Sequence, residues 1–232
     1  MVGGLSLTTY EDVEQRSKEW HEQRRGIVTA SVVGKLVTAK TVKVAANDES
    51  RGLCAQLTTE RVTGWSDDYA FVSADMQRGI EHEPIALAKY AEQTGNAVET
   101  VGFMVRDDWG FSIGYSPDAL VGDDGLVEIK CPRAKGHLTT IVTGVAPAHH
   151  MAQLQCGLLV SGRKWIDFVS FCAGMPLFVK RVLPDPRWQT AIVEAVAAFE
   201  QASADLASTY FTASDGLLPT ERIISNDLGL VF

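Results

Sequence analysis

The sequence has few cysteines, no long apolar run and no excess of positive charge. Its four cysteines, at positions 54, 131, 156 and 172, include no C-x-x-C pair. This spacing excludes a zinc finger, a disulfide framework and an iron–sulfur cluster, and it fits a reduced compartment. No apolar run approaches the ~18 residues of a membrane helix, and the first residues lack a signal-peptide pattern. We therefore expect a cytoplasmic protein.

The composition is that of a folded globular chain, with 46% hydrophobic and 22% charged residues among 232. Its net charge of −8 argues at first against nucleic acid, because a duplex repels an acidic protein. The charge is uneven, however: residues 128–190 carry 8 basic and 3 acidic side chains, and both flanking segments are acidic. This basic middle segment is either ordinary surface variation or a surface that faces phosphates.

Hydrophobic periodicity and capping signals predict helices around a central mixed β-sheet, which is an α/β fold. The predicted helices lie at 17–25, after Thr29-Ala30-Ser31, at 51–63, 75–94 and 148–160, and in a closing segment that contains Ile192 and Leu206. The predicted strands lie at 98–105, 111–115, 119–121, 126–130, 165–172 and 177–183. We expect one domain over residues 1–232, with a core at about 17–200 and a C-terminal helix and tail at 187–232.

Most of the candidate metal-binding and catalytic residues lie on or next to two of these strands. Asp118 precedes one strand and Glu128 lies on the next, and alternation puts Glu128 and Lys130 on the same face. If the two strands pair, the two carboxylates approach each other and favour a bound cation. Oxygen ligands select a hard ion such as Mg²⁺ or Mn²⁺. The alternative is an ordinary exposed Glu-x-Lys on a strand edge. The choice between this and a metal site depends on the whole segment from Ser116 to Pro132.

That string, Ser116-Pro117-Asp118 followed by Glu128-Ile129-Lys130-Cys131-Pro132, matches the PD-(D/E)xK nuclease signature. With its surroundings, the sequence resembles the lambda-exonuclease-type viral recombinase family, also called the YqaJ family, over roughly residues 17–200. The other motifs that carry the resemblance are Trp20-His21-x-x-Arg24, Thr29-Ala30-Ser31, Gly79-x-x-x-Glu83 and Met151-Ala152-Gln153-x-Gln155.

The resemblance implies a restriction-endonuclease-like core and a Mg²⁺-dependent exodeoxyribonuclease, in which Mn²⁺ can replace Mg²⁺ and each site holds one or two ions. Such an enzyme degrades one strand of linear double-stranded DNA from 5′ to 3′ and leaves 3′ single-stranded overhangs. The resemblance also implies a phage or prophage origin, a ring-shaped homotrimer around the DNA and a single-strand annealing protein as recombination partner.

The same resemblance implies site residues. Asp118, Glu128 and the carbonyl of Ile129 match metal ligands, Lys130 matches the lysine that acts on the attacking water, and Gln153 matches a helix-borne glutamine of the site. Glu83 matches a further metal-site glutamate; its position on the apolar stripe of its helix independently suggests a cation or hydrogen-bond partner. Either Asp107 or Asp108 matches an upstream aspartate, and local sequence favours Asp107.

A second set of residues matches the family's grip on a terminal 5′-phosphate. These residues are Arg24, Ser31 and Ser116. An arginine can clamp phosphate oxygens, and Ser31 is expected at a helix N-terminus, which favours an anion. The family's arginine beyond the Cys-Pro is missing at the expected place. Lys135 or Arg133 is the candidate replacement, and a lysine lacks bidentate geometry.

Two alternatives remain open from the sequence. One is another PD-(D/E)xK DNA nuclease, with endonuclease or 3′→5′ action. The other is a catalytically silent DNA-binding module of the same fold, against which the complete acid–acid–lysine set argues.

Overall fold

The computed structural model describes residues 6–66 and 73–222. Within these ranges the strands are β1 (Leu7–Tyr10), β2 (Val28–Thr29), β3 (Phe103–Arg106), β4 (Ile113–Tyr115), β5 (Ala119–Val121), β6 (Gly125–Lys130), β7 (Trp165–Ser170) and β8 (Phe178–Val182). The α-helices are α1 (Lys18–Arg24), α2 (Asp48–Thr63), α3 (Ala74–Thr94), α4 (Ala134–Thr143), α5 (Met151–Ser161) and α6 (Pro186–Ala213). In the same ranges, no helix is long and apolar enough to cross a membrane.

The strands form two four-stranded sheets, in the orders β1-β3-β4-β2 and β5-β6-β7-β8. Strand β2 runs parallel to β4 and β6 runs parallel to β7, and the remaining pairs are antiparallel. The α/β class, with mixed sheets flanked by helices, is confirmed. The division into two sheets falls between β4 and β5, where Pro117 lacks the N–H that a continuous ladder needs.

Helix α5 lies at the centre of the fold. Most of its residues are buried, because its sequence offers no continuous polar face. It packs against β3 and β4 of one sheet, β7 of the other, and α6. A close approach is possible at Gly157, where an added Cβ would lie 2.8 Å from the ring of Tyr115. Helix α5 therefore fixes its side chains relative to both sheets.

Helix α3 packs on the other face of the second sheet. Its buried Ala86 and Tyr90 join a core cluster with Val127, Ile129 and Val169. Because side chains alternate along β6, this packing leaves Glu128 and Lys130 on the face toward α5. Helix α3 thus places Glu83 near Asp118.

Several predicted elements are confirmed within a few residues. Helices α2 and α3 begin after side-chain caps at Asn47 and Ser73 and end at left-handed glycines, Gly64 and Gly95. Strand β5 has its predicted limits, and the predicted helix at 148–160 is a short 3-10 turn, Ala148–His150, followed by α5.

The helix predicted after Thr29-Ala30-Ser31 is wrong. Thr29 ends β2, which pairs with β4, and only a 3-10 turn follows at Val33–Lys35. The β-branched valines and the glycine that follow have low helix propensity, so the chain makes only this short turn after the strand. Strands β1 and β2 and helix α4 were not predicted. Helix α4 has low intrinsic helix propensity, since it contains a glycine and several β-branched residues.

Candidate active site

The hairpin of β5 and β6 brings the two predicted acidic residues together. Ala119 pairs with Val127, so Asp118 lies beside the end of β6 that carries Glu128. The Asp118 carboxylate accepts a hydrogen bond from the backbone N–H of Ile129. The sequence-based condition for a carboxylate pair, that these two strands pair, is therefore met.

Glu128 is the centre of a buried hydrogen-bond network and is only 2% exposed. Its Oε1 accepts a hydrogen bond from Lys130 Nζ at 2.7 Å and another from Gln153 Nε2 of α5. Its Oε2 accepts one from the Tyr115 hydroxyl at 3.1 Å. The structure thus brings together Glu128, Lys130 and Gln153 as the motifs predicted. Tyr115 was missed, although its place directly before Ser116-Pro117-Asp118 marks it in the sequence.

The electrostatics of this cluster reflect an excess of negative charge. Burial and the neighbouring charge of Glu128 raise the pKa of Asp118 well above its ordinary value, against the opposing effect of Lys130. Burial alone would lower the pKa of Lys130, but the carboxylates of Glu128 and Asp118 outweigh burial and raise it. One lysine therefore does not balance the acidic groups of the site.

Glu83 lies on α3 near this pair, and its charge contributes to the raised pKa of Asp118. Glu83 and Asp118 line a common cleft of about 350 Å³. In the cleft, Glu83 Oε2 forms an ion pair with Arg16 Nη2 at 2.7 Å. Arg16 adopts the left-handed backbone conformation, with φ of 72°, which is uncommon for a residue with a side chain. The expectation that Glu83 needs a cationic partner is met here by this arginine.

The donor set fits a hard divalent cation in its chemistry. Carboxylate and carbonyl oxygens are the ligands that Mg²⁺ and Mn²⁺ prefer, and a cation would offset the negative charge that raises the pKa of Asp118. Within residues 6–66 and 73–222, no three acidic, histidine or cysteine side chains are already arranged so that they could hold a metal ion together. The residues that would hold a cation are Asp118, Glu128, the Ile129 carbonyl and Glu83.

The upstream aspartates are not brought to this cluster. Asp107 and Asp108 follow the end of β3, at the turn into β4, whereas Asp118 follows the opposite end of β4. Asp108 instead accepts a hydrogen bond from the Ser6 N–H at 2.8 Å. The prediction that Asp107 joins the metal ligands is corrected by this register, because the length of the hairpin separates the turn from the carboxylate pair.

Three of the four predicted phosphate-binding residues converge. Arg24 donates from Nη1 to Ser116 Oγ at 3.3 Å and from Nη2 to Ser31 Oγ at 3.1 Å. The Trp20 indole N–H also donates to Ser116 Oγ, at 2.9 Å, and the Arg24 guanidinium lies 3.9 Å from the Trp20 ring. We call Arg24, Ser31 and Ser116 the end cluster.

Two details of the phosphate prediction differ. Ser31 does not begin an α-helix, since only a three-residue 3-10 turn follows, so no helix dipole acts there. It is oriented instead by Thr29 Oγ1 at 3.0 Å. Lys135 lies exposed in the first turn of α4. Within the described residues, no hydrogen bond or ion pair joins its side chain to Ser31 or Ser116.

Comparisons with known proteins agree with this geometry. A sequence model described as the YqaJ-like viral recombinase domain matches residues 19–164. The chain is similar to the crystal structure of an alkaline exonuclease, LHK-Exo, from Laribacter hongkongensis, with 33% identity and a TM-score of 0.77, over 87% of this chain and 100% of that one. For LHK-Exo in complex with dAMP the values are 35% and 0.75, with the same coverage.

A phage-related exonuclease from Haemophilus somnus 129PT shares the fold, with a TM-score of 0.60 at 15% identity, over 79% of this chain and 96% of that one. No curated protein sequence matches. The resemblance found from the motifs and the expected enzyme class, a nuclease, are thereby confirmed. The match spans most of the chain, and the chain belongs to the YqaJ-like viral recombinase domain family.

Proposed function

We propose that this protein is a Mg²⁺-dependent exodeoxyribonuclease that degrades one strand of linear double-stranded DNA from 5′ to 3′. The observation that carries the proposal is the segment Ser116-Pro117-Asp118. Ser116 belongs to the end cluster, and two residues later Asp118 belongs to the carboxylate pair. A strand end whose phosphate contacts Ser116 therefore lies next to the groups suited to hydrolysis.

The end cluster is suited to a phosphate group. Ser116 Oγ already accepts two hydrogen bonds, so its own hydroxyl proton points away from both donors and can donate to a phosphate oxygen. Arg24 lies over the Trp20 ring, which holds its planar guanidinium in one orientation. This pre-orientation lowers the entropic cost of a bidentate contact to phosphate.

In the proposed mechanism, the cation would be held by Asp118, Glu128, Glu83 and the Ile129 carbonyl. The bound Mg²⁺ would supply Lewis-acid stabilisation of the phosphate and a more acidic water. Gln153 and Tyr115 fix the orientation of Glu128, and Lys130 places its ammonium group beside that carboxylate. From there Lys130 orients the attacking water and stabilises charge that develops on the phosphate.

The proposed assembly is a homotrimeric ring around the DNA, working with a phage-type single-strand annealing protein. The resemblance supports this assembly. The net charge of −8 is consistent with it, because a ring retains DNA by encirclement and needs little non-specific attraction. The basic middle segment is less available to phosphates than its composition suggests, since Arg133, Lys164 and Arg181 form ion pairs with Asp75, Asp124 and Asp167.

The test compares linear duplexes that have 5′-phosphate or 5′-hydroxyl ends with closed circular DNA, in Mg²⁺ or in EDTA. We expect digestion of the linear duplexes in Mg²⁺, release of mononucleotides from the 5′ ends, and a surviving 3′ strand. The Glu128→Gln variant serves as the control for a contaminating nuclease. Digestion of intact circles would indicate an endonuclease, release from 3′ ends would reverse the polarity, and binding without cleavage in Mg²⁺ would indicate a silent module.

A further inference from the structure

A turn before α1 contacts two of the segments that carry the proposed metal ligands. Gln15 and Arg16 are consecutive residues of this turn. The Gln15 side-chain amide Nε2 donates to the Pro117 carbonyl at 2.8 Å, and Asp118 is the next residue. Arg16 Nη2 donates to Glu83 Oε2 on α3 at 2.7 Å. Two adjacent side chains therefore connect the segment that carries Asp118 with the helix that carries Glu83.

The backbone of this turn is unusual at Arg16. The Ser17 N–H donates to the Glu14 carbonyl at 3.1 Å, so Arg16 is the third residue of a four-residue turn. Its φ of 72° lies in the left-handed region, where glycine is the preferred residue. Such strain persists where surrounding contacts compensate for it, and it is common at functional sites. The hydrogen bond from the Arg16 side chain to Glu83 is a contact that glycine could not make.

Contacts with the segment before β3 hold the turn in place. Gln15 Nε2 also donates to the Val101 carbonyl, at 2.9 Å. At Gly102 the chain passes so close to the segment before the turn that an added Cβ would collide with the Val13 carbonyl oxygen. The protein therefore fixes the backbone position of the turn, and the Arg16 side chain extends from a defined point.

Glu83 uses one carboxylate oxygen for its contact with Arg16. Within residues 6–66 and 73–222, Oε2 accepts the hydrogen bond from Arg16, and Oε1 has no protein donor. The Glu83 side chain is 27% exposed, and it lines a cleft together with Asp118. Carboxylates that bind a metal are commonly hydrogen-bonded by a further protein group, which fixes their orientation. The contact between Arg16 and Glu83 has the form of such an arrangement.

Glu83 is held less firmly than the other proposed carboxylate ligands. Glu128 accepts hydrogen bonds from three side chains and is buried, and Asp118 accepts one from the Ile129 backbone. In the described ranges Glu83 depends on Arg16 alone. A glutamate side chain without a partner populates several rotamers, so it would reach a cation in only a fraction of the molecules. The apparent affinity for the cation falls with that fraction.

We propose that Arg16 is a positioning residue for the cation site: it holds Glu83 by Oε2 and leaves Oε1 for the cation. The inference rests on the proposed function, because it takes Glu83 as a metal ligand. Removal of a nearby positive charge would by itself strengthen cation binding, since the two charges repel. A positioning role predicts the opposite result, because Glu83 loses its orientation. The sign of the change in affinity therefore separates the two effects.

The experiment measures equilibrium binding of Mn²⁺ to the DNA-free protein, with free Mn²⁺ detected by electron paramagnetic resonance. No cleavage takes place in this measurement. Arg16→Gly should raise the Kd for Mn²⁺ about tenfold. Glycine suits the φ of 72°, so this variant keeps the turn while it removes the guanidinium. Arg16→Lys should recover part of the affinity, because an ammonium group can donate to the same carboxylate oxygen.

A double-mutant cycle shows whether Arg16 acts through Glu83. Glu83→Gln alone should weaken Mn²⁺ binding, and Arg16→Gly should then cause no further loss in the Glu83→Gln background. The matched control is Arg51→Ala, because Arg51 is also an exposed arginine paired with one carboxylate, that of Asp48 in α2. This control should leave Mn²⁺ binding unchanged.

Unchanged or tighter Mn²⁺ binding in Arg16→Gly would overturn the proposal. The same conclusion would follow if Arg16→Gly caused an equal loss with and without Glu83, or if Glu83→Gln left Mn²⁺ binding unaltered. Failure of the proposed function itself is distinguishable. It would show as absence of Mg²⁺-dependent cleavage by the unaltered protein, which the binding measurement does not involve.

Discussion

The carboxylate pair and the end cluster are close in the sequence, yet their charges are opposite in sign. Around Glu128, buried acidic groups outnumber the single lysine, and the pKa of Asp118 is raised. Around Arg24, hydroxyl groups and an aromatic ring surround one guanidinium. The first region needs positive charge from a ligand, and the second offers positive charge to one. Cleavage and end recognition should therefore respond separately to mutation.

The sharpest separation should come from Lys130→Ala. We expect cleavage to fall about 10³-fold, because the variant loses the ammonium group held beside Glu128, while binding of DNA ends in EDTA stays within twofold. Single-turnover cleavage and anisotropy measure the two effects, with Lys164→Ala as the matched lysine control. Full cleavage activity in the Lys130 variant would remove this lysine from the mechanism.

Burial of His150 near the carboxylate pair should make the free energy of unfolding fall at low pH. His150 lies against Phe168, with ring centroids 5.6 Å apart, and burial lowers the pKa of His150 to about 3, with a smaller effect of Lys130. The imidazole is therefore neutral in the fold, and the stability that it contributes is lost as pH falls from about 6.5 toward 3.

At pH 4 this loss amounts to about 3 kcal/mol in the free energy of unfolding. Denaturant titrations at pH 7 and pH 4 measure it, with His150→Gln as the comparison. The variant should lose less stability than the unaltered protein between the two pH values. Equal losses would mean that water reaches His150.

Arg24→Ala should affect the end cluster and leave the hydrolytic groups intact. Loss of the guanidinium should weaken binding of 5′-phosphate ends about 30-fold and reduce the preference for 5′-phosphate over 5′-hydroxyl. Arg24→Lys should recover part of the affinity, because it restores the charge but not the planar fork. An unchanged preference in Arg24→Ala would place end recognition elsewhere.

Gln153→Ala should give the smallest effect. Gln153 touches Glu128 through one hydrogen bond, so its loss should lower kcat about tenfold with little change in KM. Gln201→Ala is the control, since Gln201 is exposed on α6 and bonds only to Asp205 within the described residues. A change in KM alone would contradict a role for Gln153 in the hydrolytic step and would indicate a role in DNA binding.

Much of the fold could be predicted where local signals were strong. The capped helices α2 and α3 and the strands around the Asp-Gly turn at residues 122–125 were predicted closely. Strand β2 could not be, because its partner β4 lies more than 80 residues later in the sequence. Helix α4 was missed because packing, rather than propensity, stabilises it: His137 is fully buried and hydrogen-bonds to Ser170 and the Pro176 carbonyl.

The candidate site divides in the same way. Alternation along a single strand and the spacing of one hairpin predicted Asp118, Glu128 and Lys130, since those contacts are local. Asp107 was misplaced because sequence distance does not reveal which end of a hairpin a residue occupies. Tyr115 was missed because its role depends on the hydroxyl reaching Glu128 across the junction of two sheets.

The sequence by itself determined the family, the acid–acid–lysine set and the absence of a cysteine-based site, because these depend on residue identity and short spacing. The net charge of −8 did not predict the ligand, since a net charge does not show where individual charges lie in the fold. Only the tertiary structure decided that Ser116 joins the end cluster to the carboxylate pair, and that Arg133, Lys164 and Arg181 of the basic middle segment form ion pairs. Those features are distances between side chains far apart in the sequence, which the packing of two sheets around α5 sets.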